Sequence, residues 1–169
     1  MGFLSSLFRK KEPDVEKLIQ NLRFQSQEIK DIETKINRLE QDPVLEAMGP
    51  LATFVGLGRG ADAQGPLAEL ARLKDRLFEA KKKDANLRAR AASNLGELRN
   101  PKAVQPLIAS LREYGYEYTS LRLNAATALG NIGDNEAVEP LTKLAQSDSE
   151  ESVRQAAQKA LELIQKTDP

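Results

Sequence analysis

The second half of the chain repeats a helical spacing of hydrophobic positions. Within residues 121–142, apolar side chains fall three or four positions apart, as on one face of a helix: Leu121, Ala125, Ala128 and Leu129. Gly133 and Asp134 are predicted to end this helix. Pro140 then lies near the start of a second helix, where its missing N–H costs little. The segment is therefore predicted to be a helical hairpin, and several hairpins must stack because one cannot bury its own apolar face.

The hairpin pattern occurs more than once along the chain. Residues 87–108 (LRARAASNLGELRNPKAVQPLI) and 121–142 (LRLNAATALGNIGDNEAVEPLT) align at an offset of 34, and we name them the first and second copies. The positions that are identical in both are, in the first copy, Leu87, Arg88, Ala91, Ala92, Leu95, Gly96, Ala103, Val104, Pro106 and Leu107. A third copy begins at Val153 and has a polar outer face, as a terminal repeat requires.

Residues 148–151 (DSEE) separate the second copy from the third. They predict a capping box at the start of the last helix. Asp148 would accept a hydrogen bond from a backbone N–H of the first turn, and Glu151 would reach back.

This pattern resembles the HEAT repeat, and specifically the short variety first noted in phycobilisome bilin lyases. The resemblance covers about residues 84–166 and rests on the recurring run LR, AA, LG and AV-x-PL. It implies an all-α fold, a right-handed α–α superhelix (a HEAT-like solenoid) of about two and a half to three and a half hairpins. In that family the arginine at the position of Arg88, Arg122 and Arg154 usually ties adjacent units together, so these arginines are expected to be structural.

A weaker copy is predicted upstream of the first. Residues 57–67 (LGRGADAQGPL) resemble 132–141 (IGDNEAVEPL) with one extra residue in the turn. We therefore expect a degenerate HEAT-like unit over 42–83, followed by HEAT-like repeats and a C-terminal cap helix over 84–169.

Residues 12–41 predict one long helix before the repeats. Apolar residues alternate in steps of three and four, with Gln25 in the remaining slot: Val15, Leu18, Leu22, Ile29, Ile32, Ile36 and Leu39. This seam fits either a coiled-coil homodimer through residues 14–40 or a helix packed in cis against residues 44–80 as a cap. In a parallel dimer Lys35 would meet Glu40 but Glu28 would meet Glu33, and we prefer the cis arrangement.

The tail at residues 1–11 has a separate character. It joins a small apolar face to a basic cluster: Phe3, Leu4, Leu7, Phe8, Arg9, Lys10 and Lys11. Such a segment suits weak contact with an anionic membrane surface or a partner groove. Gly2 and Ser6 also match a loose myristoylation pattern. The other interpretation is a frayed or locally packed terminus, which so short a segment equally permits.

Composition narrows the chemistry. The 169 residues contain no cysteine and no histidine, which excludes Cys/His zinc sites, Cys/His pairs and Ser-His-Asp triads. The formal net charge is zero, so a general polyanion binder is not expected. No apolar run approaches the roughly 18 residues of a membrane span, and the N-terminus does not fit a secretory signal. We expect a cytoplasmic protein without catalytic residues, cofactor or metal.

All three tyrosines lie within five residues, in the run YGYEY: Tyr114, Tyr116 and Tyr118. The connection that contains them, from Pro106 to Leu121, is longer by two residues than the equivalent one from Pro140 to Val153. Tyrosine is favoured at binding surfaces, which indicates a recognition loop for another protein. The alternative is that the rings fill space between hairpins. We expect at least one ring to pack and the loop still to mark a contact edge.

A basic run precedes and enters the first copy: Arg72, Lys74, Arg76, Lys81, Lys82, Lys83, Arg88 and Arg90. It suits an acidic partner or nucleic acid. Phe78, its one aromatic residue, is expected to face the core, and charge runs more often form a solvated helix face. We prefer the solvated face.

These observations favour a non-catalytic scaffold or adaptor that binds another protein, membrane-peripheral if the tail at residues 1–11 binds lipid. The resemblance alone implies an alternative, an accessory subunit of a bilin lyase or a chaperone for a tetrapyrrole-binding protein. A second alternative is nucleic-acid binding through the basic face at 72–90.

Overall fold

The structure is a computed structural model that describes residues 14–23, 25–43 and 65–167. Each regular element in these ranges is helical, which confirms the all-α prediction. The helices are α1 (Val15–Arg23), α2 (Gln27–Glu40), α3 (Pro66–Leu98), α4 (Val104–Ser110), α5 (Thr119–Ile132), α6 (Val138–Ser147) and α7 (Glu151–Thr167). Short 3₁₀ turns at Pro101–Ala103, Tyr116–Tyr118 and Asn135–Ala137 precede α4, α5 and α6.

The chain forms two compact bodies, and the boundary between them falls within α3, between Ala85 and Asn86. For the described residues, we name them the repeat body, residues 14–23 with 86–167, and the α2 body, residues 25–43 with 65–85. The tail at residues 1–11 and the segment 57–64 of the predicted degenerate unit lie outside the described residues.

The second copy forms the predicted hairpin. Gly133 ends α5 in the left-handed conformation (φ 78°), and its N–H donates to Leu129 O. Asp134 then accepts a hydrogen bond from the N–H of Glu136 at 2.9 Å, which shapes the turn into α6. Pro140 is the third residue of α6. The hairpin contacts its neighbours on both sides, because α5 packs against α4 and α7, and α6 packs against α7.

Glycines let the first helices of successive copies approach closely. A Cβ built on Gly96 would lie 2.6 Å from Ala128 Cα, and one on Gly130 would lie 2.7 Å from Ala160 Cα. Such distances to a backbone atom leave no room for a side chain. The two glycines that align at the offset of 34 therefore perform the same task, which is to set the spacing of α3, α5 and α7.

The core of the repeat body consists mainly of leucine and alanine, with some isoleucine and valine, from the helices of the stack. Its large, fully buried residues include Leu22, Leu95, Leu107, Leu121, Leu129, Leu141 and Ile164. Burial of each such side chain contributes about 1.5–3 kcal/mol. Val153, Ala157 and Ala160 of α7 are buried as predicted for the terminal helix.

The single long helix predicted for residues 12–41 is wrong, because the structure has two helices there. Gln25 and Ser26 are not helical, and the Ser26 hydroxyl accepts a hydrogen bond from the N–H of Ile29 at 3.3 Å. A serine that caps a new helix in this way stabilises a break over a continuous helix. The two helices then belong to different bodies.

Within the repeat body, α1 contacts α4 and buries Ile19 and Leu22. Its last turn presents the carbonyl of Leu22 to Arg88 Nε at 2.8 Å. Glu16 lies 3.7 Å from Lys102 Nζ. Helix α1 therefore packs beside the first copy. The sequence had predicted the degenerate unit at 42–83 in that place.

Within the α2 body, the rest of the apolar seam is covered in cis, as we preferred. Ile32 and Ile36 form a core with Leu73 of α3. The partly buried residues around it are Leu39, Leu70, Leu77 and Ala80. These isoleucines are consequently occupied within one chain and are not a free coiled-coil surface.

The predicted boundary between a unit at 42–83 and the repeats from 84 falls inside a helix. Helix α3 runs without interruption from Pro66 to Leu98. Residues 67–95 contain no glycine or proline, and Lys81, Lys82 and Lys83 are good helix formers.

None of the helices in the described ranges combines the length and apolar character that a membrane crossing needs.

Candidate binding cleft

The tyrosine run occupies the connection between α4 and α5. Gly115 has a φ of 108°, which a side chain rarely adopts, and the chain then enters the 3₁₀ turn Tyr116–Tyr118. Tyr114 and Tyr116 are 87% and 76% exposed, whereas Tyr118 is 6% exposed. The expectation that at least one ring packs is confirmed. Tyr118 is not available to a partner, which corrects its place among the binding candidates.

Tyr118 packs beside Arg88, which is itself buried. The guanidinium carbon of Arg88 lies 5.8 Å from the centre of the Tyr118 ring. The same guanidinium donates to Leu22 O at 2.8 Å and to a carboxylate oxygen of Glu113 at 2.5 Å. Arg88 thereby joins α1, α3 and the beginning of the tyrosine connection, and it is not part of an exposed basic face.

Arg122 binds the backbone of the same connection. Its Nη1 donates to Glu113 O at 2.9 Å and to Gly115 O at 3.0 Å, the carbonyls on either side of Tyr114. Its Nε and Nη2 donate to the two carboxylate oxygens of Asp148 at 2.6 and 3.2 Å. The side chains of Arg122 and Asp148 are 6% and 4% exposed. The backbone that carries Tyr114 is therefore fixed by a buried, bidentate ion pair.

Arg154 completes the series at the start of α7. Its Nη1 donates to Asp148 O at 2.5 Å and to Ser149 O at 3.1 Å, and its Nη2 binds Glu151. Each repeated arginine thus binds one or two backbone carbonyls, in the last turn of the preceding stacked helix (α1) or in the connection that follows it (α4 and α6). The expectation that these arginines tie adjacent units together is confirmed.

Asp148 has a different role from the predicted cap. Its carboxylate accepts from the N–H of Glu150 at 2.9 Å, ahead of the first turn of α7, and otherwise binds Arg122. Glu151 binds Arg154 and Gln155 and does not reach back. Burial raises the pKa of Asp148, but the Arg122 hydrogen bond, the Glu150 N–H and the charges of Arg122 and Arg154 outweigh it, so the pKa lies below its ordinary value.

A cleft of about 480 Å³ opens between the tyrosine connection and α6. Its apolar wall comes from Tyr114 and Pro140 with the edges of Ile108, Leu111 and Leu144. Its charged groups are Arg112, Arg122, Lys143, Glu139 and Asp148. The volume is in the range of sites that hold a small ligand or a few side chains.

Most of the cleft charges are paired with each other. Lys143 Nζ lies 2.6 Å from Glu139 Oε1, and this hydrogen bond and charge lower the pKa of Glu139. Arg122 is bound by Asp148. Arg112 is exposed, and among the described residues no ion pair or side-chain hydrogen bond involves it. The sequence carries no pattern that distinguishes Arg112 from the other surface arginines, and only the cleft does so.

The basic run is partly neutralised within the α2 body. Lys74 pairs with Glu40 at 2.7 Å, Lys81 with Glu33 at 2.9 Å, and Arg76 lies 3.8 Å from Glu28. Lys82, Lys83 and Arg90 are exposed on α3, and so is Arg72, which has an interaction of its own. Phe78 is 44% exposed, so the expectation that it faces the core is wrong. This arrangement favours the solvated helix face.

No three carboxylates of the described ranges come together in a way that could hold a metal ion.

A family model described as HEAT repeats matches residues 70–162, which is more than half of the chain. The chain belongs to the HEAT-repeat family. The HEAT match includes the repeat body from α3 to α7 and begins within α3, upstream of the start at 84 that the sequence predicted. No curated protein matches the chain.

In this HEAT-repeat protein, α4 and α6 are the second helices of their hairpins, and the cleft lies against both of them. The tyrosine connection that the sequence singled out forms one wall of the cleft. Sequence reasoning missed Arg112, Lys143 and the use of Asp148 as the partner of Arg122. The signal for Asp148 was present, since a buried arginine at a repeated position needs a carboxylate nearby.

Proposed function

We propose that this HEAT-repeat chain is a non-catalytic protein-binding module, a scaffold or adaptor, and that its partner contacts the cleft beside Tyr114. The observation that carries the proposal concerns Tyr114 and Tyr116, which are 87% and 76% exposed. They lie on a connection whose backbone is held by hydrogen bonds from the buried Arg122. HEAT repeats generally serve as scaffolds for protein interaction, which supports a protein as the partner. Large exposed tyrosines supply contact area at a low entropy cost.

The rigidity of the tyrosine connection supports the proposal energetically. Association loses free energy when loops and side chains must become ordered. Here Arg122 binds the carbonyls of Glu113 and Gly115, so the backbone at Tyr114 is ordered before a partner arrives. An ordered loop that leaves two aromatic rings in solvent suits binding better than it suits packing.

The experiment is affinity capture from the source cell with the full chain as bait. The variant is Tyr114→Ala with Tyr116→Ala, and the matched control is Leu87→Ala, which truncates another exposed apolar side chain of the repeat body. Circular dichroism and thermal melting establish that the proteins are equally folded. A captured protein is identified by mass spectrometry, purified, and titrated calorimetrically against the three baits.

We expect the purified partner to bind wild type and Leu87→Ala alike and to bind the tyrosine variant at least about tenfold more weakly, as loss of a hot spot implies. Equal binding to all three baits would overturn the assignment of the cleft and leave HEAT-type protein binding elsewhere on the chain.

The finer alternatives remain predictions from the sequence. A role beside a tetrapyrrole protein rests on the resemblance to the short repeats of bilin lyases, and a visible absorption band in the protein purified from its source would support it. Nucleic-acid binding through 72–90 requires affinity that falls steeply with salt. The pairing of Lys74 and Lys81 with α2 carboxylates counts against it.

A further inference from the structure

The charges that line the cleft are unequal. Three of its side chains are cationic (Arg112, Arg122, Lys143) and two are anionic (Glu139, Asp148). Two pairs form within the lining, Arg122 with Asp148 at 2.6 Å and Lys143 with Glu139 at 2.6 Å. Arg112 is left as the cleft cation without an acidic partner in the part of the chain that the structure describes.

We infer that the cleft binds a peptide segment of its partner in which an acidic residue adjoins a large apolar residue. This inference rests on the proposed function and specifies its partner. The carboxylate would bind Arg112, whose planar guanidinium favours bidentate contact with carboxylates. The apolar residue would cover the ring of Tyr114 and the neighbouring Pro140, the apolar groups of the same cleft.

A basic segment fits the cleft poorly for two reasons. Asp148 is 4% exposed and already accepts two hydrogen bonds from Arg122, so it cannot receive a second cation without losing the first. Glu139 is exposed but holds Lys143 one helical turn away. A lysine or arginine of a partner would therefore meet the charge of Arg112 and find no unengaged carboxylate in the lining, which selects against it.

The size of the cleft indicates a segment and not a folded surface. A volume of about 480 Å³ holds a few side chains. Its walls, the tyrosine connection and the residues of α6, lie in the repeat body alone. A short extended stretch of the partner would place one apolar and one acidic side chain there together.

The test uses the full chain and a synthetic peptide array as the probe. In each peptide a central Leu, Phe or Tyr is flanked by Glu, by Gln or by Lys, with all other positions Gly or Ser. Fluorescence anisotropy of selected soluble peptides gives the affinities at low and moderate salt. The variants are Arg112→Glu and, as a control with the same change of charge on the repeat body, Lys159→Glu, which lies on α7 away from the cleft lining.

We expect wild type to prefer the Glu-flanked peptides over the Lys-flanked ones by about tenfold or more, and this preference should weaken as salt rises. Arg112→Glu should remove or reverse the preference, whereas Lys159→Glu should retain it. Equal binding of the Glu and Gln series, preference for Lys, or no binding by any series would each overturn the inference.

The outcome is separable from that of the proposed function. If the tyrosine variant loses the captured partner while Arg112→Glu keeps it, the cleft binds protein but does not select an acidic segment. If Arg112→Glu alone loses the partner, the charge of Arg112 contributes more to the affinity for the partner than the tyrosine rings do. Retention of the partner by both variants contradicts the cleft as the binding site.

Discussion

The first and second copies have nearly the same sequence pattern but different surroundings. Leu121 of the second copy is fully buried, whereas its counterpart Leu87 is 57% exposed. Arg122 donates two hydrogen bonds to the buried carboxylate of Asp148, whereas Arg88 binds the carboxylate of Glu113, whose side chain is 36% exposed. The second copy ends its first helix with Gly133 in the left-handed conformation, and the first copy places Arg99 there with a φ of 49°.

The cause of the difference is position in the stack. The second copy lies between the first copy and α7, so both of its sides are covered. The first copy is covered within the repeat body by α1, which contacts α4. One repeat pattern therefore encodes one hairpin, but the energy of each residue depends on the neighbours that the stack supplies.

The largest expected difference concerns the two arginines. Arg122→Met should destabilise the protein by about 3–5 kcal/mol, because it leaves Asp148 buried without its cation. Arg88→Met should cost about 1–3 kcal/mol, since Glu113 can turn to solvent while Leu22 O loses its donor. Urea denaturation of both variants gives the two free energies. Equal losses of unfolding free energy would show that the repeated arginine contributes the same stability in the first copy as in the second.

The two leucines should differ almost as much. Leu121→Ala removes a fully buried side chain and should cost about 2–5 kcal/mol. Leu87→Ala truncates an exposed one and should change the free energy of unfolding by about 0.5 kcal/mol or less. Thermal melting of the two variants beside wild type is sufficient. A large loss from Leu87→Ala would mean that this leucine is covered in solution.

The buried pair of the second copy should make stability depend on pH. The pKa of Asp148 is lower in the folded protein than its ordinary value of about 4. The ionised group therefore stabilises the fold above that ordinary value, and this contribution is lost as the pH falls through the lower folded value. Urea midpoints between pH 7 and pH 3 test this for wild type and Asp148→Asn, with pH values chosen about the range in which carboxylates titrate.

Asp148→Asn should be less stable than wild type at neutral pH, and the gap should narrow as the pH falls. Other carboxylates titrate equally in both proteins, so the difference between the two curves isolates Asp148. Curves that stay parallel would contradict the stabilising role of its charge.

The smallest expected effect concerns the turns that end α3 and α5. Gly133→Ala should destabilise by about 1 kcal/mol, since a Cβ is strained at a φ of 78°. Arg99→Gly should stabilise by about 0.5 kcal/mol, because relief of strain of about 1–2 kcal/mol exceeds the added entropy of the unfolded chain. Melting temperatures that move in opposite directions would support this. A loss in both variants would show that the Arg99 side chain compensates for its backbone.

Much of the repeat body was predictable because its signals are local. The spacing of Leu121, Ala125 and Leu129 indicated a helix, and Gly133 indicated its end. Recurrence at an offset of 34 indicated stacking and marked the repeated arginines. The additional length between Pro106 and Leu121 indicated that the tyrosine connection is special, and Tyr118 packs while Tyr114 and Tyr116 do not.

The errors occurred where a local pattern permits two structures. A seam with period near three and a half continues through Ser26, so periodicity favoured one helix, but the hydrogen bond from Ile29 N–H to the serine hydroxyl stabilises a new start. Phe78 is exposed although its type predicts burial.

Within the repeats, the sequence by itself determined that helices alternate with turns and that hairpins must stack, since both follow from spacing of a few residues. Only the tertiary structure decided that α1 packs beside α4, that Arg88 reaches Leu22 across 66 positions of sequence, and that Arg112 alone among the cleft cations lacks a carboxylate within the described residues. The physical reason is that helix formation depends on neighbours along the chain. Ion pairing and cleft formation depend on neighbours in space, and many placements of those neighbours satisfy the same local pattern.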